Sequence, residues 1–558
     1  MKVPVGGFPG LSRARPSGGV RLGRVAALAL VLVSGAFGAG CTIFPQGSYW
    51  PAFAERRGEA APAAQAEPRP IGPPAATEAE AAARSARFQD AITRRWAGED
   101  LARSARRMNA SAGQSVYADA MQTVTWFYVD PISYRDLVVA GIESLRAALD
   151  NPAFRRQFPE ADAADRRANF AEALDILDLK ARAANPVLAF QAAEWLAVTL
   201  EKNRAMLGLP DGAVVAEFLF GAMDSLDPYS RYMTAEMVRL SREQEQGRYV
   251  GIGAEITSRQ GRFFVKAVFE HGPAAKAGLL AGDEIVAVDG RPMTDLTVSD
   301  VGRRLRGKPG TTVTLTVKAG DEGPRRDLAI QRAEVRLAAA RDARWLDPAR
   351  GIAYVRFAEF QNGAEADLRQ AVESLARQGT KALILDLRDN PGGSLLEAVW
   401  VAGMFLEPGP VIQTRGRMFR ATWTYDVPWL EPRAWTGPLA VLVNEGTASA
   451  AELLASALAE RGRATIVGRR TFGKGAVQIC FPIEWGAGAV CLTIARVYDA
   501  GGRCLDGRGV VPNIEVGLPS ESPPRRAEGP ASTQEDPVVR AAIEALAPGL
   551  PPGSPAAR

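Results

Sequence analysis

Two stretches constrain this chain most: "KALILDLRDNPGGSLLEAVWVAGMFL" from Lys381 and "PLAVLVNEGTASAAELLASALAERG" from Pro438. Each runs an apolar strand into a small-residue turn and then into a helix. Strands of this kind, alternating with helices, call for a largely parallel sheet with helices packed on it. The alternation extends from about Arg341 to Val516, with "GIAYVRFAEF" as a strand and "GAEADLRQAVESLARQG" as a helix stopped by glycine. Reactive groups in α/β domains tend to sit where strands end and helices begin.

Both junctions carry chemistry. Ser449 opens a helix after the turn at Gly446, so its hydroxyl lies near the unpaired N–H of Ala450. The Gly392–Gly393 turn offers bare N–H groups at a second helix start, a place for an anion. Together they supply a nucleophile and two donors for a developing oxyanion, each donor contributing about 3 kcal/mol to a transition state. Taken alone, Ser449 reads more readily as a helix N-cap than as a nucleophile. Lys474 shifts that balance. In extended chain, residues 474, 476 and 478 share a face, so Lys474 and Gln478 project together. A buried lysine amine can serve as general base, and Gln478 can orient it without adding charge. The flanking Gly473 and Gly475 give the lysine room to enter a cleft. The bland alternative is a solvated surface lysine. "GRRTFGKG" also approaches the phosphate-binding loop G-x-x-x-x-G-K-[ST], but Gly475 stands at the hydroxyl position and a strand follows where a helix is required.

Upstream, residues 84–235 read as helical, through "SVYADAMQTVTWFYVDP", "AAEWLAVTLEKNRAMLGL" and an amphipathic helix in "GAVVAEFLFGAMDSLDPYSRYM" that halts at Asp227-Pro228. No chemistry is visible there. From 247 to 335 short β runs alternate with glycine turns. "DEIVAVDG" ends in an Asp-Gly hairpin turn, "PAAKAGL" is a short helix stopped by Gly278, and "VSDVGRRLRG" is a helix closed by Gly307.

With these residues in place, the chain resembles a C-terminal processing peptidase, or tail-specific protease. "NEGTASAAE" is similar to that family's nucleophile segment, "GRRTFGKGAVQ" to its lysine segment and "DLRDNPGG" to its oxyanion loop. "LDPYSRYM", "YVGIGAEI", "GLLAGDEIVAVDG" and "LRGKPGTTVTL" resemble its PDZ domain and the lead-in to it, and "LTIARVYDAGGRCLDGRGVVPNIEV" resembles the terminal core segment. The resemblance runs from about Gly221 to Val516. It implies a multidomain α/β protein: a helical N-terminal domain, a PDZ-like β domain (247–335) and a crotonase-like α/β protease core (336–516). It implies Ser449 as nucleophile, Lys474 as general base and Gln478 as its orienting group. Ala450 and one of Gly392 or Gly393 would hold the oxyanion. Gly251, Ile252 and Gly253 would offer N–H groups to a substrate's C-terminal carboxylate, by strand addition. No cofactor or metal is implied. Tyr229 stands where the family often has histidine, with little catalytic effect expected. The chain's one histidine, His271, lies in the PDZ-like module, and a Ser–Lys pair needs none. The competing reading is a non-catalytic PDZ adaptor on a protease-like core.

The termini bear on location. A basic start precedes "VAALALVLV" and "SGAFGAGC", the layout of a secretory signal in residues 1–41. That apolar run falls short of the about 20 residues a bilayer requires. Cys41 follows "GAG", as at a lipoprotein cleavage site, although Gly38 replaces the usual leucine; ordinary cleavage near Ala36 or Ala39 is the alternative. Residues 42–83 read as a flexible tether rich in Pro, Ala, Glu and Gln, and 517–558 as a linker with a short helix. The expected place is the periplasm or cell envelope. Partners would be proteins or peptides with accessible C-termini, a membrane through lipidated Cys41, and a second copy or a regulatory adaptor. The net charge of +4, much of it in the first 24 residues, gives no nucleic-acid surface. Cys480 and Cys491 flank a hairpin; a cross-strand disulfide and two ordinary apolar cysteines are equal readings.

Overall fold

The computed structural model describes residues 88–184, 187–269, 271–293, 296, 298–320, 323–418, 421–429, 432–483, 488–517 and 536–549. The signal, Cys41 and the tether lie outside the described residues.

Helices α1 (Glu99–Arg107), α2 (Ala110–Phe127), α3 (Tyr134–Asp150), α4 (Pro152–Gln157), α5 (Ala164–Ala183), α6 (Ala189–Met206) and α7 (Asp211–Asp224) form the N-terminal part. Side-chain caps begin several of them. Asn109 accepts the N–H of Ala112, Ser133 that of Asp136, and Asn151 those of Ala153 and Phe154. The sequence predicts α7 as amphipathic and running to Asp227. It ends at Asp224 instead and is buried on every side from Gly212 to Met223. Its glycines explain this. A Cβ at Gly221 would lie 2.3 Å from the Ala140 carbonyl oxygen, so α3 packs backbone to backbone against α7. The burial carries a glutamate inside: Glu217 is fully buried and accepts from Trp96 Nε1 (2.5 Å), Ser144 Oγ (2.6 Å) and Arg95 (3.2 Å).

The PDZ-like module begins at strand β2 (Arg248–Gly251) and closes at β9 (Ala333–Arg336), and these two pair antiparallel as a separate ribbon. Between them, β3 (Ala254–Arg259), β4 (Arg262–Val268), β5 (Asp283–Val288), β7 (Thr312–Ala319) and β8 (Arg325–Gln331) form a sheet in that order, with the short β6 (Arg291–Pro292) on β5. The Asp-Gly turn is as expected, with Asp289 and Gly290 both at positive φ. Phe263, Val265, Ile285, Val313, Leu315 and Val317 are its core.

The largest sheet has the order β10 (Ala340–Asp347), β11 (Ile352–Phe357), β12 (Ala382–Asp386), β15 (Leu439–Val443), β16 (Thr465–Gly468) and β19 (Ile514–Glu515). It is parallel from β11 onward and β10 is antiparallel. Helices α11 (Ala364–Arg377), α12 (Leu395–Gly403) and α13 (Ala450–Glu460) share one core with it. The last helix, α14 (Pro537–Leu546), covers Tyr354, Ile384, Leu442 and Val467 through Val538, Val539 and Ala542. A second, antiparallel sheet is built on the long β18 (Gly488–Asp499). β17 (Ala476–Ile483) pairs along one edge of it. β1 (Arg231–Met233) and β13 (Gly409–Gly416) share the other, and β14 (Trp423–Val427) lies outside β13. Cys480 and Cys491 face each other across β17 and β18 and are joined as a disulfide. β1 thus carries the end of the helical part into the sheet that bears the lysine segment.

Candidate active site

Two loops meet beyond the carboxyl ends of β12 and β15. Asp389 N–H donates to Asn444 Oδ1, and Asn444 Nδ2 donates to Asp389 Oδ1, both at 2.9 Å. Thr447 Oγ1 donates to the Leu387 carbonyl, and Ala448 N–H to the Asn390 carbonyl. At the end of the second loop Ser449 adopts φ 55° and ψ −121°. Positive φ is strained for a residue with a side chain, by about 1–3 kcal/mol, and persists only where the surroundings enforce it. α13 supplies part of that anchorage. Leu454 and Leu458 on it are fully buried, each worth about 1.5–3 kcal/mol.

Gly392 lies against the serine. A Cβ there would be 2.7 Å from Ser449 Cβ and 2.8 Å from Ala450 N. With φ 96° as well, only glycine fits. The two candidate donors in this turn differ. Gly392 N–H is already given to Asn390 Oδ1 at 2.9 Å. Gly393 is held by Phe360 through its neighbours: Phe360 N–H donates to Gly392 O, and Ser394 N–H to Phe360 O. The N–H groups of Gly393 and Ala450 make no hydrogen bond among the described residues.

The lysine segment follows β16. Phe472 N–H donates to the Thr447 carbonyl at 3.0 Å, tying it to the serine loop. The glycines beside Lys474 are needed for a reason other than room for the lysine. A Cβ at Gly475 would be 2.2 Å from Asp506 N, and Gly473, at φ 91°, packs on residues 507–509. After Gly475 comes strand β17, not the helix a phosphate-binding loop requires. Lys474 Nζ donates to Gln478 Oε1 at 2.9 Å. The pairing is not the simple alternation read from the sequence, because a register shift falls between Val477 and Gln478 and Lys474 precedes the strand. Gln478 Nε2 in turn donates to the Tyr229 carbonyl at 2.5 Å, which fixes the amide so that its oxygen faces the lysine. Burial, with the Asp506 carboxylate nearby, pushes the Tyr229 hydroxyl up to about 12, so it is a protonated donor near neutral pH.

One residue missing from the expected set joins these parts. Glu452, on the first turn of α13, is fully buried. Its Oε2 accepts Ser449 N–H and Lys474 N–H, each at 2.8 Å; its Oε1 accepts Gly473 N–H at 2.7 Å and the Thr471 hydroxyl. A single oxygen atom therefore draws the serine and lysine backbones together. The signal for it was in the sequence: Ser449 and Glu452 have the S-x-x-E spacing of a capping box, in which the glutamate reaches back to the N-cap N–H.

In the PDZ-like module, Gly251 is the last residue of β2, paired with Ala333. Ile252 and Gly253 form the turn into β3, Gly253 at φ 79°. Their carbonyls accept Ala274 N–H (2.7 Å) and Phe269 N–H (3.0 Å); the Gly253 N–H is given to the Tyr249 hydroxyl, and the Ile252 N–H makes no hydrogen bond among the described residues. β3 is an edge strand with α10 (Val298–Leu305) packed beside it. His271 sits in the same module, just before the short α9 (Pro273–Lys276).

A strained serine at a strand–helix junction, a lysine–glutamine pair whose segment shares Glu452 with it, and a separate β module with an edge strand are the parts of a PDZ-bearing serine peptidase. Residues 351–516 match Peptidase family S41, and residues 264–318 match the PDZ domain. A carboxy-terminal-processing protease of Bartonella bacilliformis is 35% identical over 313 residues, covering 55% of this chain and 71% of that protein. The carboxy-terminal processing protease CtpA of Bacillus subtilis is 33% identical over 317 residues, covering 56% of this chain and 64% of that protein. Among solved structures, the photosystem II D1 C-terminal processing protease matches at 26% identity, covering 74% of this chain and 95% of that one, with a TM-score of 0.39. The chain belongs to the carboxy-terminal processing protease family.

Proposed function

We propose that this protein is an exported serine endopeptidase that cleaves proteins or peptides near their C-terminal tails through a Ser449–Lys474 dyad. The observation that carries the reading is Glu452 Oε2, which takes the N–H groups of both residues at 2.8 Å. In the mechanism, Ser449 Oγ attacks the scissile carbonyl as its proton passes to the neutral Lys474 amine. Ala450 N–H and Gly393 N–H stabilise the oxyanion; Gly392 N–H is committed to Asn390. The ammonium then protonates the leaving amine, and the acyl-enzyme remains. Water, deprotonated by the same amine, releases the acid. Gln478 holds the amine in place throughout. The turn at Ile252 and Gly253 and the free edge of β3 are suited to a chain terminus added as a strand, its carboxylate taking the turn's N–H groups and displacing the Tyr249 hydroxyl from that of Gly253.

Export rests on the basic-apolar-small leader, and the Cys480–Cys491 disulfide suits an oxidising compartment. Cys41 is the proposed lipid anchor.

A serine-directed covalent probe tests the assignment: the wild type labels and Ser449→Ala does not. Absence of labelling in both would overturn it in favour of a non-catalytic adaptor. Lys474→Arg should be labelled and turned over no better than Ser449→Ala, since a guanidinium stays charged in proteins and cannot take the proton.

A further inference from the structure

The segment that brings the helical part to the catalytic sheet ends at the lysine. Asp227 Oδ1 accepts the N–H groups of Tyr229 and Ser230, both at 2.7 Å, and Oδ2 accepts the Ser230 hydroxyl at 2.9 Å. The Ser230 hydroxyl accepts Thr493 N–H at 3.1 Å, and β1 then pairs with β18. Tyr229 is thus clamped from both sides. Beyond the turn its contacts gather around the lysine segment, and its hydroxyl also donates to the Asp506 carboxylate. Its carbonyl takes the Gln478 amide, its hydroxyl reaches the Gly473 carbonyl at 3.5 Å, and its ring centroid lies 5.3 Å from Lys474 Nζ.

We propose that Tyr229 is a positioning residue for Lys474, its ring face placed to stabilise the positive charge the amine acquires on taking the serine proton; this rests on the Ser449–Lys474 reading above. An aromatic face carries negative potential and attracts an ammonium, while a neutral amine gains little. In the resting enzyme the base is neutral. In the transition state for acylation it is becoming cationic, so the ring's attraction grows as the barrier is climbed. Only such differential stabilisation accelerates the chemical step. The same face shifts the resting amine toward its charged form, so it also sets the pH at which the rate begins to rise. Other charges face this lysine: the Glu452 carboxylate on its backbone side, Asp506, which accepts Gly475 N–H at 3.2 Å, and Asp227 in the turn behind Tyr229. Removing the 229 hydroxyl takes one hydrogen bond from Asp506 and leaves Glu452 and Asp227 in place, so the acid limbs are compared among variants that all lack it.

The experiment is a set of pH–rate profiles on the full chain with a cleavable peptide. Tyr229→Phe keeps the ring and should stay within about twofold of wild type. Tyr229→Leu should lower kcat about 2- to 30-fold with KM little changed, and move the acid limb down by about 0.4–1.5 pH units. Phenylalanine analogues with successive ring fluorines at 229 keep the shape and weaken the face; the acid limb should step down with each fluorine. This series carries the test if Tyr229→Leu does not fold. Acid limbs superimposable on that of Tyr229→Phe across the fluorinated series would overturn the proposal, because a packing role predicts no graded shift. Lys474→Ala, measured alongside, separates the two readings. If it is inactive while the limbs do not move, only the role of Tyr229 fails. If Lys474→Ala still turns over, the dyad itself fails and the proposal with it.

Discussion

Among the described residues, the helical part and the protease core each hide one glutamate completely, and the two are used differently. Glu217 in α7 is met by side chains, from Arg95, Trp96 and Ser144. Glu452 in α13 is met chiefly by backbone, from Ser449, Gly473 and Lys474, with the Thr471 hydroxyl as its one side-chain donor. Side-chain donors hold helices together and can be replaced by other side chains of similar shape. Backbone donors transmit the position of the acceptor to the chain itself. At Glu452 that chain bears the two residues proposed to react, so a structural carboxylate becomes a gauge of catalytic geometry.

Glu452→Gln should show the largest effect. The amide has one acceptor oxygen, and its NH2 would face N–H donors on the other side, whichever way it turns. We expect kcat/KM to fall at least about 100-fold, the scale of a misplacement near 1 Å. Urea unfolding should show a loss of at least about 1–3 kcal/mol, that of leaving a buried donor unmatched. A variant with wild-type turnover would remove the distinction between the two glutamates. Glu217→Gln should leave turnover unchanged, lower stability by about 1–3 kcal/mol because its NH2 would face a donor, and alter how stability depends on pH. Burial outweighs Arg95 here and raises the Glu217 carboxyl above its ordinary value. A carboxyl raised in the folded state adds stability below its unfolded value and loses that contribution as pH rises through the folded one. Wild type should therefore weaken relative to the Gln variant as pH climbs out of the acid range, and parallel stability curves would refute this. The smallest effect is expected at α14. Arg388 bridges Asp386 and Asp536 (2.7 and 2.6 Å), and Asp536→Asn should cost about 1 kcal/mol, measurable as a lowered Tm. Burial alone would raise the Asp386 carboxyl, but Arg388 and Arg356 hold it below its ordinary value. That contribution is present above the unfolded carboxylate value and disappears as pH falls through the folded one, so wild type and Asp536→Asn should both lose it in acid.

Much of this was legible in the residues. The junctions at Gly392 and Ser449 declare themselves because apolar strand, small turn and helix are each set by local composition. Lys474 and Gln478 come together as expected, yet by way of a register shift that no alternation pattern contains. The reason for Gly473 and Gly475 is the passage of residues 505–509 beside them, a contact between segments some 30 positions apart. Such packing leaves no local trace. The same holds for α7, whose burial on all sides depends on the helices around it, although its two glycines are a hint. Tyr229 reads in sequence as a neutral replacement, and only the folded chain carries it to the amine. Glu452 had the capping-box spacing; its further hold on the lysine segment had no signature.

The β2–β9 ribbon has a practical consequence. The chain enters and leaves the PDZ module side by side, and Leu337 N–H donates to the Gly247 carbonyl at 2.9 Å where the two strands begin and end. Everything between is a cassette on a two-stranded handle. A different reader of chain ends could be spliced in at those residues without moving a strand of the catalytic sheets, so the choice of target and the chemistry applied to it are free to evolve separately.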